Sequence, residues 1–257
     1  MKFERTRVMN FEGAIIGMRN PKNSWSKSDS RDCSEFYEDC MCGFCDDPQY
    51  GHINCKGVGK YGNTYAIGPN DMQLMQTLIK GGPEHRKFMR QIFVSVDITA
   101  PFYWWKEFDT YKVGTVANSC STMHKITSAP ITFDCFEIDD FVNVEYPSGA
   151  QRSEVNSNCD HGFVEMTLIP YFEHLRKKYL ETKDKTYWKE LIRWLPESWL
   201  QKRTITMNYE NIRSMVHQRM NHKLNEWSGK DDDSLPNFIA WARTLPYAEE
   251  LIFYGNE

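Results

Sequence analysis

The stretch from Thr99 to Ile126 constrains the fold most strongly, because an aromatic helix runs directly into a small, polar turn. An Ala-Pro pair opens the helix, and Phe102, Trp105 and Phe108 recur at helical spacing opposite a charged face. The residues from 113 to 122, VGTVANSCST, are mostly small, hydroxylated or thiol-bearing. This composition permits close backbone approach and suits a polar pocket, but it is equally typical of an ordinary Ser/Thr-rich loop.

Hydrophobic periodicity predicts several elements around this stretch. A helix is predicted from Asn70 or Asp71 to Ile79, where a glycine pair ends it. Alternating apolar and polar residues predict a half-buried strand from Ile92 to Ile98. Further predictions are a first strand at 14–16, helices over 162–180, 187–195 and 209–227, and a strand over 203–207. Pro170 marks a kink or a fresh start in the first of these helices.

A cysteine-rich section predicts an insertion at about residues 31 to 66, within a single domain of residues 1 to 257. Short spacings can bring four thiolates together around zinc, and the candidate ligands are Cys33, Cys40, Cys42, Cys45 and Cys55. However, the C-x-C-x-x-C spacing differs from the usual paired C-x-x-C motifs of zinc ribbons. Reduced thiols in a surface insertion are the alternative interpretation.

Charge and hydropathy narrow the class of protein. The 31 basic and 35 acidic residues leave a net charge of only -4, so the bulk charge does not indicate a nucleic-acid or lipid surface. The opening MKFERTRVMNF lacks the apolar core of a signal peptide, and no apolar run is long enough to span a membrane. We therefore expect a cytoplasmic protein that binds neither nucleic acid nor membrane.

Arg219 interrupts the apolar stripe of the helix predicted over residues 209–227, because it lies seven residues after Ile212 on the same face. A buried guanidinium needs an anionic or carbonyl partner. Its five donors suit a phosphate or a pyrimidine carbonyl. An ion pair with an acid across a helix interface is the alternative.

The order of these features resembles that of the flavin-dependent thymidylate synthases, also called thymidylate synthase complementing proteins. In that family an Ala-Pro-type helix leads to an Arg-His-Arg triplet, then to a Ser, and then to a Ser-x-Arg-Tyr turn that holds deoxyuridylate. Aligned without a gap, the triplet falls on Thr110, Tyr111 and Lys112 and the single Ser on Thr115. The turn falls on residues 120–123, CSTM. Only Lys112 keeps the charge of the residue it replaces, so the signature is eroded.

Two further matches extend the resemblance to residues 70–126 and 195–227. A glycine-His stretch that contacts flavin in the family falls on His85, although a surface His beside basic residues is an equally simple interpretation. In the family, a Leu-Pro segment and an extended stretch precede a helix that bears an Asn and an Arg. With one inserted residue, these positions correspond to Asn211 and Arg219.

The resemblance implies an α+β fold with a mixed sheet wrapped by helices, assembled as a homotetramer with sites between subunits. The family reaction reduces FAD with NADPH and moves a one-carbon unit from methylenetetrahydrofolate to deoxyuridylate. The residues implied in substrate binding are Lys112, Cys120, Ser121, Thr122 and Arg219. Those implied in cofactor binding are His85, Tyr111, Lys112, Asn118 and Asn211.

Two classes of function remain open. One is a divergent pyrimidine-nucleotide enzyme, in which Cys120 is the candidate catalytic residue because it replaces a Ser of the substrate turn. A buried cysteine is more often inert, however. The other class is a protein that binds or sequesters a nucleotide without the chemistry. Loss of two cationic side chains from the triplet favours the binder, whereas Lys112, Asn211 and Arg219 favour the enzyme.

Overall fold

The computed structural model describes residues 1–33, 58–138 and 162–255. The chain divides into two compact units. The first unit contains Met1–Ile98, Asp109–Asn118 and Arg203–Glu257. The second contains Thr99–Phe108 and Ser119–Lys202. No helix in the described ranges has the length and apolar character needed to cross a membrane.

The described residues form both helices and strands. The strands are β1 (Lys2–Met9), β2 (Arg31–Asp32), β3 (Tyr65–Ala66), β4 (Phe93–Pro101), β5 (Val116–Ser119) and β6 (Leu200–Asn208). The helices are α1 (Phe11–Arg19), α2 (Pro69–Lys80), α3 (Phe102–Phe108), α4 (Thr122–Lys125), α5 (Ile169–Thr182), α6 (Lys185–Arg193), α7 (Tyr209–Arg219), α8 (Asn225–Ser228) and α9 (Phe238–Arg243). Strands β1, β4, β6 and β5 form a sheet in that order, and β2 pairs antiparallel with β3. The predicted α+β class is confirmed.

The predicted first strand at residues 14–16 is wrong. These residues lie in helix α1, whose buried residues Phe11, Ala14, Ile15 and Met18 follow helical spacing. The first strand is instead β1, which is largely polar and mostly exposed because it lies at an edge of the sheet. An edge strand with one weakly apolar face carries little periodic signal, so the apolar segment that follows it was mistaken for the strand.

Aromatic side chains build much of the core of the first unit. Phe11 of α1 contacts Tyr209 and Tyr247 edge to face, with ring centroids 5.6 and 5.5 Å apart. The Tyr209 hydroxyl donates a hydrogen bond of 2.7 Å to the carbonyl of Pro246. Complete burial raises the pKa of Tyr209 well above its usual value, so the hydroxyl stays protonated. The start of α7 is therefore anchored in the core.

The predicted helix over 209–227 is too long, because α7 ends at Arg219 and a separate helix, α8, begins at Asn225. The side chain of His222 explains the break. Its Nδ1 accepts a hydrogen bond of 3.1 Å from the backbone N–H of Leu224, which removes that N–H from any helical bond. Helix α7 is thus three turns long, and Trp227 belongs to the next element.

The second unit has its own apolar cluster, built around α5 and α6. Phe172, Leu175 and Leu191 are buried there beside Phe136 and Trp199. A π-helical segment, Val164–Leu168, runs into α5 without a break in the helical backbone, and the proline at position 170 lies just after this junction. The helix predicted over 162–180 is therefore present, and it changes from π-helical to α-helical turns next to the proline instead of starting afresh there.

Helix α3 also belongs to the second unit and buries its aromatic side chains. Trp104, Trp105 and Phe108 are all buried, and the Trp105 indole donates a 2.9 Å hydrogen bond to the carbonyl of Gln201. The helix predicted after the Ala-Pro pair is thus present. Its aromatic residues serve packing, in line with their helical spacing.

Candidate functional site

A cavity of about 560 Å³ lies at the N-terminal end of α7 in the first unit. Three parts of the chain line it. They are the loop of residues 110–114, the start of α7 with its preceding Asn208, and two arginines, Arg86 and Arg90. These arginines lie on a short 3-10 helix, Arg86–Gln91, that packs against α7. Segments more than a hundred residues apart in sequence therefore meet at this cavity.

A reciprocal cap fixes the start of α7. The Asn208 side chain accepts the N–H of Asn211 at 3.0 Å, and the Asn211 side chain accepts the N–H of Asn208 at 3.2 Å. Two of the otherwise unpaired N–H groups at the helix terminus are satisfied in this way. The Asn211 amide also donates to the carbonyl of Val113 at 2.8 Å. One side chain thus joins the helix cap to the cavity loop.

Gly114 allows the loop to approach this cap. Its φ is +79°, a left-handed conformation that favours glycine. A Cβ there would lie 2.8 Å from Oδ1 of Asn211 and 3.1 Å from Nδ2 of Asn208. A side chain at this position would therefore be strained and would press on the cap.

The cavity carries more positive than negative charge. Arg86 Nε contacts one carboxylate oxygen of Glu210 at 3.1 Å, and Arg90 Nε bonds to the other. The bond to Glu210 raises the pKa of Arg90 above its ordinary value. Lys112 is exposed and, among the described residues, makes neither an ion pair nor a hydrogen bond. Lys112 is therefore available to an anionic ligand.

Tyr111 forms part of the cavity wall and is held from behind by α7. Its hydroxyl donates to Oε1 of Gln218 at 3.0 Å and accepts from Nε of Arg219 at 2.9 Å. The Arg219 guanidinium lies 5.6 Å from the ring centroid of Tyr111 and 5.2 Å from that of Trp227. Arg219 is not among the residues that line the cavity, but it supports one of them.

A second arginine of α7, Arg213, was not predicted from the sequence. It is only 6% exposed, and its Nη1 donates to the carbonyls of Leu251, Ile252 and Tyr254 at 2.8 to 3.2 Å. Burial lowers the pKa of Arg213 from its usual high value. The bonds to the carbonyls retain the C-terminal segment, so Arg213 has a structural role.

The predicted substrate turn, Cys120 to Thr122, belongs to the second unit. Ser121 caps α4, with its hydroxyl accepting the N–H of His124 at 3.2 Å. The Cys120 N–H donates to the carbonyl of Lys202 at 2.8 Å, and Gln201 donates to both the Cys120 carbonyl and the Thr122 hydroxyl at 3.2 Å. These bonds connect the turn to residues 201 and 202, and Cys120 is exposed.

Two other predicted cofactor residues lie outside the cavity lining. His85 is exposed and its ring lies against Gly81, where an added Cβ would be 3.1 Å from the ring. Asn118 lies on β5, whose four residues are all exposed. Both roles stay predictions. Arg86, Arg90 and Glu210 line the cavity without having been assigned to it, although the basic residues after His85 are visible in the sequence.

Four of the five predicted zinc ligands, Cys40, Cys42, Cys45 and Cys55, lie outside the described residues. Cys33 is buried at 3% exposure, and its N–H donates to the carbonyl of Thr64 at 2.8 Å. Within the described ranges, no group of three or more His, Cys, Asp or Glu could hold a metal ion. Zinc in the cysteine-rich section stays a prediction, and a fall in melting temperature on chelation would support it.

Comparison with solved structures assigns the fold to that of the flavin-dependent thymidylate synthases. The chain is similar to flavin-dependent thymidylate synthase ThyX from Helicobacter pylori complexed with FAD and dUMP, with a TM-score of 0.56, 14% identity and 98% of each chain covered. A second structure of ThyX from that organism, also with FAD and dUMP, gives a TM-score of 0.54 at 14% identity over 96% of each chain. The resemblance predicted from sequence is confirmed at the level of the fold.

The chain is also similar to the UMP/dUMP methylase PolB from Streptomyces cacaoi bound with 5-Br UMP. That match has a TM-score of 0.44 and 18% identity, and it covers 73% of this chain and 84% of the other. Neither a protein-family model nor a curated protein sequence matches the chain. The likeness to known proteins is therefore one of structure, with little sequence identity.

Proposed function

We propose that this protein binds FAD and a pyrimidine nucleotide and transfers a one-carbon unit to deoxyuridylate, as a divergent flavin-dependent thymidylate synthase. One observation carries the proposal. Tyr111, Lys112 and Asn211 are three residues that the sequence resemblance assigns to the flavin, and all three line the same cavity although about a hundred residues separate the first two from the third. The solved structures of similar fold contain FAD and dUMP.

The residues of the cavity fit the phosphate-bearing part of such a cofactor. Phosphate oxygens are bound by cationic side chains and by N–H donors. Lys112, Arg86 and Arg90 supply the cations, and Gly114 leaves open the space in front of the helix cap that a Cβ would fill. We assign phosphate binding to these residues and ring packing to Tyr111. The flavin, when bound, supplies the redox chemistry.

The substrate contacts are a further part of the proposal. We assign hydrogen bonds to the nucleotide to Cys120, Ser121 and Thr122, and recognition of its anionic part to Lys112 and Arg219. Cys120 is the candidate nucleophile because its thiol is exposed and therefore accessible to a small molecule. NADPH and methylenetetrahydrofolate are the proposed co-substrates, and the proposed assembly is a cytoplasmic homotetramer.

A second candidate function is nucleotide binding without catalysis. It is favoured by the uncharged Thr110 and Tyr111 in the triplet positions and by Glu210, which already engages both arginines of the cavity. These features reduce the positive charge available to a dinucleotide. A protein of this kind sequesters a pyrimidine nucleotide and has no need of flavin.

Flavin titration tests the proposal. We expect the purified protein to show the flavin absorbance band after addition of FAD and gel filtration. Lys112→Ala should weaken FAD binding by about tenfold, because a charge-assisted contact to phosphate is lost. Lys22→Ala is the matched control, since Lys22 is also exposed and does not line the cavity. Equal affinities in the two variants would contradict the assignment of Lys112.

Turnover separates the two candidate functions. With FAD, NADPH and methylenetetrahydrofolate, the enzyme should convert deoxyuridylate to thymidylate, detected by mass spectrometry. A colourless protein that binds deoxyuridylate by calorimetry but retains no added FAD would support the binding protein. A protein that binds neither ligand would contradict both.

A further inference from the structure

The cavity contains one acid among its charged residues. In the part of the chain that the structure describes, the charged side chains lining it are Arg86, Arg90, Lys112 and Glu210. The Glu210 side chain is 14% exposed, against 21% for Arg86 and 50% for Arg90. The Glu210 side chain is thus less exposed than either arginine side chain it pairs with. Any phosphate that reaches these arginines meets the negative charge of Glu210.

The geometry of the two ion pairs leaves donors free for a ligand. Both arginines contact Glu210 through Nε, and a guanidinium has four further N–H groups. Arg90 uses Nη2 for a long contact of 3.4 Å to the carbonyl of Pro83. Among the described residues, the guanidinium of Arg86 makes no other hydrogen bond. Glu210 therefore orients the two arginines and also neutralises part of their charge.

We propose that Glu210 is a specificity-determining residue that competes with the anionic group of the ligand for Arg86 and Arg90. In consequence the cavity binds free phosphate or pyrophosphate weakly, and only a nucleotide that adds contacts through its base or ring binds well. The choice of a nucleotide phosphate as ligand rests on the proposed function. The competition itself follows from the charges and contacts of the three side chains.

Glu210 has two opposite effects on anion binding, because it orients the two arginines and also repels the anion. The Glu210→Gln variant separates these effects. Glu210→Gln keeps the shape of the side chain and one oxygen acceptor, so part of the orientation is retained. It removes a full negative charge from a partly buried cavity, where like charges interact more strongly than a single neutral hydrogen bond is worth. Repulsion is therefore the larger effect, and the variant should bind anions more tightly.

Calorimetry with sodium pyrophosphate at low ionic strength tests this competition. Glu210→Gln should bind pyrophosphate about tenfold more tightly than the wild type, which corresponds to about 1.4 kcal/mol. Glu12→Gln is the matched control, because it makes the same change in net charge at an exposed residue that does not line the cavity. It should leave the affinity unchanged. Adding Arg86→Gln to Glu210→Gln should remove the gain.

Equal or weaker affinity of the Gln variant overturns the proposal, and so does the absence of pyrophosphate binding in both proteins. Circular dichroism and the melting temperature check the fold. If Glu210→Gln does not fold, Glu210→Ala takes its place, with a smaller gain expected because both acceptors are lost. A gain in pyrophosphate affinity without FAD binding would contradict the proposed function alone. FAD binding without such a gain would contradict the role of Glu210 alone.

Discussion

Helix α7 carries two arginines that the structure uses in different ways. Arg213 is buried, and its guanidinium is bonded to three backbone carbonyls near the C-terminus. Arg219 is only partly buried and lies against the rings of Tyr111 and Trp227, behind the cavity wall. The two arginines thus differ both in burial and in partners, and the partners indicate a structural role for Arg213 and a supporting role at the cavity for Arg219.

The largest effect is expected for Arg213→Met. This substitution leaves buried carbonyls without their donor and should lower the free energy of unfolding by about 3 kcal/mol. Urea denaturation monitored by circular dichroism measures it. The same change at Arg219 should cost about 1 kcal/mol, because cation–π contacts and a hydrogen bond to Tyr111 are lost from a side chain that is only partly buried. Similar losses of stability in the two variants would contradict the distinction between Arg213 and Arg219.

The second effect concerns ligand affinity. Arg219→Ala should weaken nucleotide binding by about tenfold, since a charged partner of an anion, or the support of Tyr111, is lost. Arg219→Lys should recover only part of it, because an ammonium lacks the planar fork of donors. Calorimetry on folded protein measures both variants. If Arg219→Ala alters stability but not affinity, then Arg219 is as structural as Arg213.

Gly114→Ala tests the loop that faces the start of α7. A left-handed φ and the close approach to the Asn211 cap predict a loss of about 1–2 kcal/mol in stability. Gly82→Ala is a useful control, because Gly82 also has a positive φ but no neighbouring atom within 4 Å of an added Cβ. Thermal unfolding of the two variants gives the difference. Equal losses would mean that strain alone acts at Gly114.

The smallest expected effect is a pH dependence of the protein's stability that arises from His217 in α7. Burial and the nearby Arg213 and Arg86 lower the pKa of His217 in the folded protein. The unfolded chain then binds a proton more readily than the folded protein does. The contribution of His217 to the free energy of unfolding is therefore fully present above the ordinary histidine pKa and is lost as the pH falls. His217→Gln should reduce the fall in melting temperature between about pH 7.5 and about pH 5.5. An unchanged fall would show that the partial burial of His217 has no consequence for stability.

Local pattern was sufficient for many elements. The helix at α2, the strand at β4 and the aromatic helix α3 were predicted because each combines a strong period with a clear start or stop signal. The prediction of the first strand was wrong because β1 is a polar edge strand. The predicted length of α7 was wrong because the side chain of His222 bonds to the backbone after the helix. Neither cause is visible in a hydrophobic pattern.

The sequence by itself determined the elements α2, β4 and α3, the resemblance to the fold of the flavin-dependent thymidylate synthases, and three residues of the candidate cavity, Tyr111, Lys112 and Asn211. Only the tertiary structure decided that Glu210 neutralises Arg86 and Arg90, more than a hundred residues away, and that Arg213 bonds to the C-terminal carbonyls. The physical reason is that periodicity reports which face of an element is buried. The partner that each buried charge meets depends on contacts between distant segments, which the local sequence does not encode.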